Sequence, residues 1–410
     1  MVNPFKKINL LTEWYEEALQ LSSSLAYEPK YDRKKVEFIF QTLITFFGPR
    51  FFEVKVGEDR TIEKISWIVA LLSNNRSIPC YHALYDVCLL TRYVHTLDES
   101  IQNEFKDLKK NPDNLRSYFF ELFIYRLLDV NQIPNEKKIV SGNQQLEGTC
   151  VLNQKTFLFE CRKAFLPGIH ELDTMRRLTI DLQMLGQNMK HGIGMICCIK
   201  MNRPVSSRHH HEMLTKLQLF FKRLNEFTST PKIQYRHEDE YGTFTAVDYD
   251  EATLIETKSK KEYDLLYYVI PPLAPIPGIQ NHYRVKIISH FEVYRSKIYS
   301  KLESVLKEKK KQHEDSAFQN KIMFLDSESL PEFRMNLFQN QDMYDAELVR
   351  EVYKKTGLKH ILCVVIRSYN EQGMQLYIDV IAANHLQVTA TKLQSMIRNY
   401  AVFINASIKN

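Results

Sequence analysis

From residue 115 the hydrophobic period switches from helical to extended and back again, and that alternation restricts the fold more than any other feature of the sequence. Leu115 to Val130 is a strongly apolar helix. Lys137 to Ser141, Gln145 to Leu152 and Thr156 to Arg162 read as three strands. Leu172 to Lys190 returns to an amphipathic helix, and Gly192 to Met201 is a nearly continuous apolar run of the kind a strand buried on both faces shows. This α-β-β-β-α-β order predicts an α/β fold with helices packed on a sheet.

The flanks divide the chain into three. Residues 1–114 carry helical spacing over Leu11 to Leu21, Lys35 to Phe47, Thr61 to Leu72 and Tyr81 to Leu97, with a short strand near Phe51 to Val56. Asn111-Pro112-Asp113-Asn114 is a turn signal and marks a junction. Residues 115–270 form the central α/β domain. Pro271, Pro272, Pro275 and Pro277 stiffen the following segment into a linker. A second α/β unit is expected over 279–410, with a long helix from Phe291, strands at Lys321 to Leu325, His360 to Arg367 and Met374 to Ala382, and helices at Asp345 to Lys355 and Lys392 to Tyr400.

Composition sets the class. At 410 residues, 44% hydrophobic and 25% charged, the chain can bury two or three cores and is not disordered. No stretch reaches the roughly 18 apolar residues of a membrane span, and the opening Met1 to Lys7 runs into a polar helix-like segment. These features predict a protein that is neither membrane-bound nor exported, and so cytoplasmic. Seven cysteines, an odd number lying mostly in apolar runs, point to a reducing compartment without disulfides. A net charge of +6 permits nucleic acid as a partner without requiring it.

Chemistry concentrates on the expected hairpin. Along Thr156 to Arg162 the pleat places Phe157, Phe159 and Cys161 on one face and Leu158, Glu160 and Arg162 on the other. With a two-residue loop at Asn153-Gln154, cross-strand partners sum to 307, which sets Glu147 opposite Glu160. Two facing carboxylates need a divalent cation, a neighbouring Arg or Lys, or a shared proton. Glu121 adds a third carboxylate on the apolar helix, where it is partly buried and requires a partner. On helix Leu172 to Lys190, Arg176, Gln183 and Gln187 fall near one stripe suited to backbone phosphates. The plainer readings are a solvated hairpin with Glu160 paired to Arg162 or Lys163, a hydrogen-bonded Glu121, and a polar helix face. His209-His210-His211 cannot converge on one ion along a helix, since consecutive side chains point about 100° apart.

The α-β-β-β-α-β order, with Glu121 on the first helix, Glu147 on one hairpin strand and Glu160-Cys161-Arg162-Lys163 on the next, resembles the PD-(D/E)XK, or restriction-endonuclease-like, nuclease superfamily over about residues 115–201. The resemblance implies a Mg²⁺- or Mn²⁺-dependent nuclease acting on nucleic acid, most of all DNA, and often working as a homodimer. It assigns Glu147 and Glu160 to the metal, Glu121 beside them, and Arg162 or Lys163 to the position usually held by Lys. Two residues depart from the family pattern: Glu147 replaces the usual Asp, preceded by Leu146 instead of Pro, and Arg162 replaces the Lys. Arginine remains protonated at any working pH, so Arg162 can offset phosphoryl charge but cannot accept a proton. Two other readings compete: a catalytically degenerate nuclease fold that binds nucleic acid or protein, and a small-molecule site around Asp326 at the end of its strand.

Overall fold

The computed structural model describes residues 5–23, 31–57, 67–73, 78–108, 114–141, 144–163, 195–201, 235–238, 242–248, 262–270, 283–290, 318–326, 346–370 and 373–398, together with parts of 212–219 and 299–310. It is a mixed α/β protein whose chain divides into two compact units. Unit 1 comprises 1–164, 303–332 and 350–410, and unit 2 comprises 165–302 and 333–349. Among the described residues no helix is long and apolar enough to cross a membrane.

Unit 1 opens with a two-stranded sheet of β1 (Phe5–Asn9) and β2 (Glu53–Gly57), antiparallel. Helices α1 (Leu10–Ser23), α2 (Arg33–Phe47), α3 (Trp67–Ser73), α4 (Ile78–Val94) and α5 (Glu99–Leu108) follow the expected helical spacing, although α5 carries no clear signal in the sequence. Asp32 caps α2 by accepting from the Lys34 and Lys35 N–H groups, and Gly48, at φ 80°, ends it. Helix α6 (Leu115–Val130) is buried nearly all round because it packs on α4 and also on the sheet.

That sheet has six strands in the order β13-β12-β11-β5-β4-β3. Strands β3 (Asn135–Ser141), β4 (Gln144–Leu152) and β5 (Lys155–Lys163) form an antiparallel meander. Then β11 (Lys321–Asp326) lies parallel to β5, β12 (Ile361–Asn370) parallel to β11, and β13 (Gly373–Ile381) antiparallel at the edge. All six residues of β11 are buried, as befits a central parallel strand. Helices α7 (Ala346–Thr356) and α8 (Gln387–Arg398) complete the described elements of this part of the chain.

Unit 2 holds a second, five-stranded sheet, ordered β7-β8-β6-β10-β9, from β6 (Met195–Met201), β7 (Tyr235–Glu238), β8 (Gly242–Asp248), β9 (Glu262–Ile270) and β10 (Tyr283–His290).

The division into 1–114, 115–270 and 279–410 is therefore corrected in three respects. The apolar run expected to close the central sheet, β6, sits in the middle of the second sheet instead. The strand that lies parallel to β5 is β11, from the supposed separate C-terminal unit. The proline segment at 271–278 lies outside the described residues, but it falls between β9 and β10, which pair antiparallel in one sheet, so it joins neighbouring strands and not two domains. The helical residues 10–130 also belong to the same core cluster as the six-stranded sheet. The physical reason is common to all three: periodicity reports which face of a strand is buried, whereas strand partners are chosen by edges far apart in the chain. The helix expected over Leu172 to Lys190 lies outside the described residues.

Candidate active site

The β4–β5 hairpin has the expected register. Leu152 pairs with Lys155 and Gly148 with Phe159, and both loop residues have left-handed backbone, Asn153 at φ 52° and Gln154 at φ 61°. That is the signature of a type I′ turn, whose twist matches the flanking strands. Phe157, Phe159 and Cys161 enter the core shared with α6, and the Tyr125 ring meets Phe159 edge-on at 5.9 Å. By alternation, Glu160 faces the other side.

Glu147 departs from its expected place facing Glu160. The β4–β5 ladder stops at Gly148, and the Glu147 carboxylate accepts a hydrogen bond from the Cys161 backbone N–H. A side-chain oxygen thus stands in for the ladder carbonyl, which brings the carboxylate toward the plane of the sheet. Gly148 is what lets the strands approach here. A Cβ at that position would lie 2.3 Å from the Glu136 carbonyl oxygen and 2.6 Å from the Phe159 ring.

Glu121 enters from α6. Its Oε1 accepts from the Tyr125 hydroxyl one helical turn on, and lies 2.8 Å from Lys138 Nζ. The Tyr125 hydroxyl also faces the Glu147 carbonyl oxygen at 2.9 Å, so one phenol links the first helix to the hairpin. Lys138 is 3.3 Å from Glu104 as well.

The electrostatics tie these groups together. Burial pushes the Glu147 carboxyl up to about 8, the charge of Glu121 pushes it the same way, the Cys161 N–H opposes the rise, and Glu160 adds to it. Burial also raises Glu121, with Lys138 and the Tyr125 hydroxyl pulling it back down. The three carboxylates singled out from the sequence therefore act on one another. Glu160 itself is buried, at 8% exposure.

The basic residues are less convergent. Arg162 is exposed and lies 3.9 Å from Glu308, itself exposed, in a contact worth little in water. The Lys163 side chain and the residues Arg176, Gln183 and Gln187 lie outside the described residues; the Lys163 backbone pairs with Asp326. Lys307 and Lys310, read from sequence as a basic helix end, pair with Glu303 at 2.8 Å and donate to the Thr356 carbonyl at 3.3 Å.

Asp326 offers no opening for a ligand. It is 0% exposed, 3.5 Å from Arg367, and Arg367 is in turn 3.8 Å from Asp86, which accepts from the Tyr369 hydroxyl at 3.0 Å.

Lys138, Tyr125 and Gly148 were not selected as site residues from the sequence. Tyr125 had a visible cue, its four-residue spacing from Glu121. Lys138 had none, because its proximity to Glu121 depends on how β3 docks against α6. The chain matches no protein-family model, no curated protein and no solved structure.

Proposed function

We propose that this protein is a metal-dependent nuclease with a restriction-endonuclease-like core, hydrolysing phosphodiester bonds in nucleic acid and above all in DNA. The observation that carries the reading is the Glu147 carboxyl, buried between the fields of Glu121 and Glu160 and pushed up to about 8. A divalent cation relieves that repulsion directly. The topology gives further support. After the insertion of most of unit 2, helical residues 302–308 lead into β11 parallel to β5, so α6-β3-β4-β5-helix-β11 has the α-β-β-β-α-β order.

The donor set suits Mg²⁺ or Mn²⁺, since Glu147 and Glu160 present hard carboxylate oxygens. Among the described residues no group of three or more His, Cys, Asp or Glu is placed to hold a metal ion. A Mg²⁺ ion needs only one or two carboxylates when water and substrate phosphates complete its shell. Bound there, it would polarise a phosphoryl oxygen and favour ionisation of an attacking water. Glu147 and Glu160 would hold it, Tyr125 would fix Glu121 against the hairpin, and Arg162, exposed at the end of β5, would offset charge on the phosphate.

A second reading, a degenerate nuclease fold serving as a nucleic-acid or protein-binding module, is favoured by one feature: Arg162 leans toward Glu308 at 3.9 Å. Cleavage of supercoiled, linear and single-stranded DNA and of RNA in Mg²⁺ or Mn²⁺ separates the two. Glu160→Gln is expected to lower cutting by more than about 100-fold, beyond the usual effect of groups that only support a metal ligand. Linear product formed directly from supercoiled DNA would indicate two copies acting together. No cutting by folded wild type, with nucleic-acid binding intact in Glu160→Gln, would select the module.

A further inference from the structure

Lys138 stands in β3 opposite Glu147 of β4. Lys137 pairs with Gly148 and Ile139 with Leu146, while Lys138 between them has φ 54° and makes no ladder pair. Left-handed backbone is uncommon for a long side chain, and inside a strand it persists only where the surroundings hold it. Here the hold is at the far end of the side chain. The ammonium lies 2.8 Å from Glu121 Oε1 and 3.3 Å from Glu104 Oε2, with the side chain only 11% exposed. The Tyr125 hydroxyl donates to the same Glu121 oxygen. Two groups of the chain itself therefore occupy Glu121 Oε1.

Resting on the nuclease reading above, we propose that Lys138 is a tethered cation that neutralises Glu121 and confines the site to a single divalent ion on Glu147 and Glu160. Lys138 is a positioning residue that acts through Glu121. An ammonium and a divalent ion at one carboxylate oxygen would place like charges within a few ångströms of each other, so they exclude one another. Lys138→Met keeps the length and apolar stem but removes the charge, which uncovers Glu121 as a third oxygen ligand.

The test is Mn²⁺ titration of the full chain, with free ion read by electron paramagnetic resonance. Wild type and Lys138→Arg are expected to bind one ion. Lys138→Met is expected to bind a second ion, or one ion about tenfold more tightly, the scale on which groups around a metal site change its affinity. If Lys138→Met does not fold, the double variant Lys138→Met/Glu121→Gln, which leaves neither charge uncompensated, carries the test. It should bind one ion as wild type does. Wild-type binding by a folded Lys138→Met, or markedly weaker binding by the double variant, overturns the proposal. A Glu160→Gln control separates the two levels of the argument. Absence of binding in wild type, Lys138→Met and Glu160→Gln alike overturns the metal reading of the site, whereas binding that Glu160→Gln abolishes keeps that reading and isolates the role of Lys138.

Discussion

Two groups of buried charges occupy the same six-stranded sheet. On the β11–β12 side, Arg367 lies between Asp326 and Asp86, Tyr369 donates to Asp86, and the guanidinium sits 4.7 Å from the centre of the Phe123 ring. On the hairpin side, Glu147 has a single N–H on its carboxylate and two further carboxylates acting on it. The first arrangement matches anions with a cation in a closed apolar setting and reads as structural. The second leaves a carboxyl held far from its ordinary state, which is how sites that meet a ligand are built. Position at a strand end is a weaker guide than charge balance: Asp326 has the position without an opening.

The sharpest way to break this comparison is to remove the cation on the structural side. Arg367→Leu leaves two buried carboxylates uncompensated and is expected to lower stability by about 3–5 kcal/mol in urea unfolding. A change below about 1 kcal/mol would place Arg367 among dispensable groups and remove the contrast.

On the hairpin side the diagnostic is pH. The folded protein holds on Glu147 a proton that the unfolded chain gives up above its ordinary value of 4.5, so the folded state binds more protons until pH passes about 8. Stability should therefore fall as pH rises through that window and level off above it, with a slope of at most about 1.4 kcal/mol per pH unit from this one group. Unfolding midpoints measured across the window should show the fall in wild type and a flatter profile in Glu147→Gln.

Gly148→Ala comes next, with an expected loss of about 1–3 kcal/mol, because backbone and a packed ring stand where the methyl would go. A nearly neutral result in thermal unfolding would mean that the hairpin shifts freely and does not fix Glu147. The smallest effect concerns the turn. Gln154→Gly relieves a left-handed non-glycine residue and should stabilise by about 0.5–1 kcal/mol without altering cleavage.

These contrasts also mark what can be read from one sequence. The hairpin register followed from alternation and a two-residue loop, both local, and Leu152 does face Lys155. The mutual influence of Glu121, Glu147 and Glu160 followed from their element order. Lys138 was not legible because its partner Glu121 lies on a helix packed against the sheet, and no spacing rule relates the two. Nor was the identity of the strand beside β5. Gly192 to Met201 and Lys321 to Leu325 are both apolar runs fit for a central strand, and nothing within either run says which sheet it joins.

The pairing of β5 with β11 has a consequence for how the chain emerges from the ribosome. Strand β5 is complete at Lys163, yet its neighbour begins only at Lys321, after nearly all of unit 2 has been made. Throughout that interval the nascent chain carries Phe157-Leu158-Phe159 on a strand with one open edge, the kind of surface that recruits foreign strands. Chains that terminate early within unit 2 therefore lack the native cover for that edge, which makes premature termination there a direct route to aggregation.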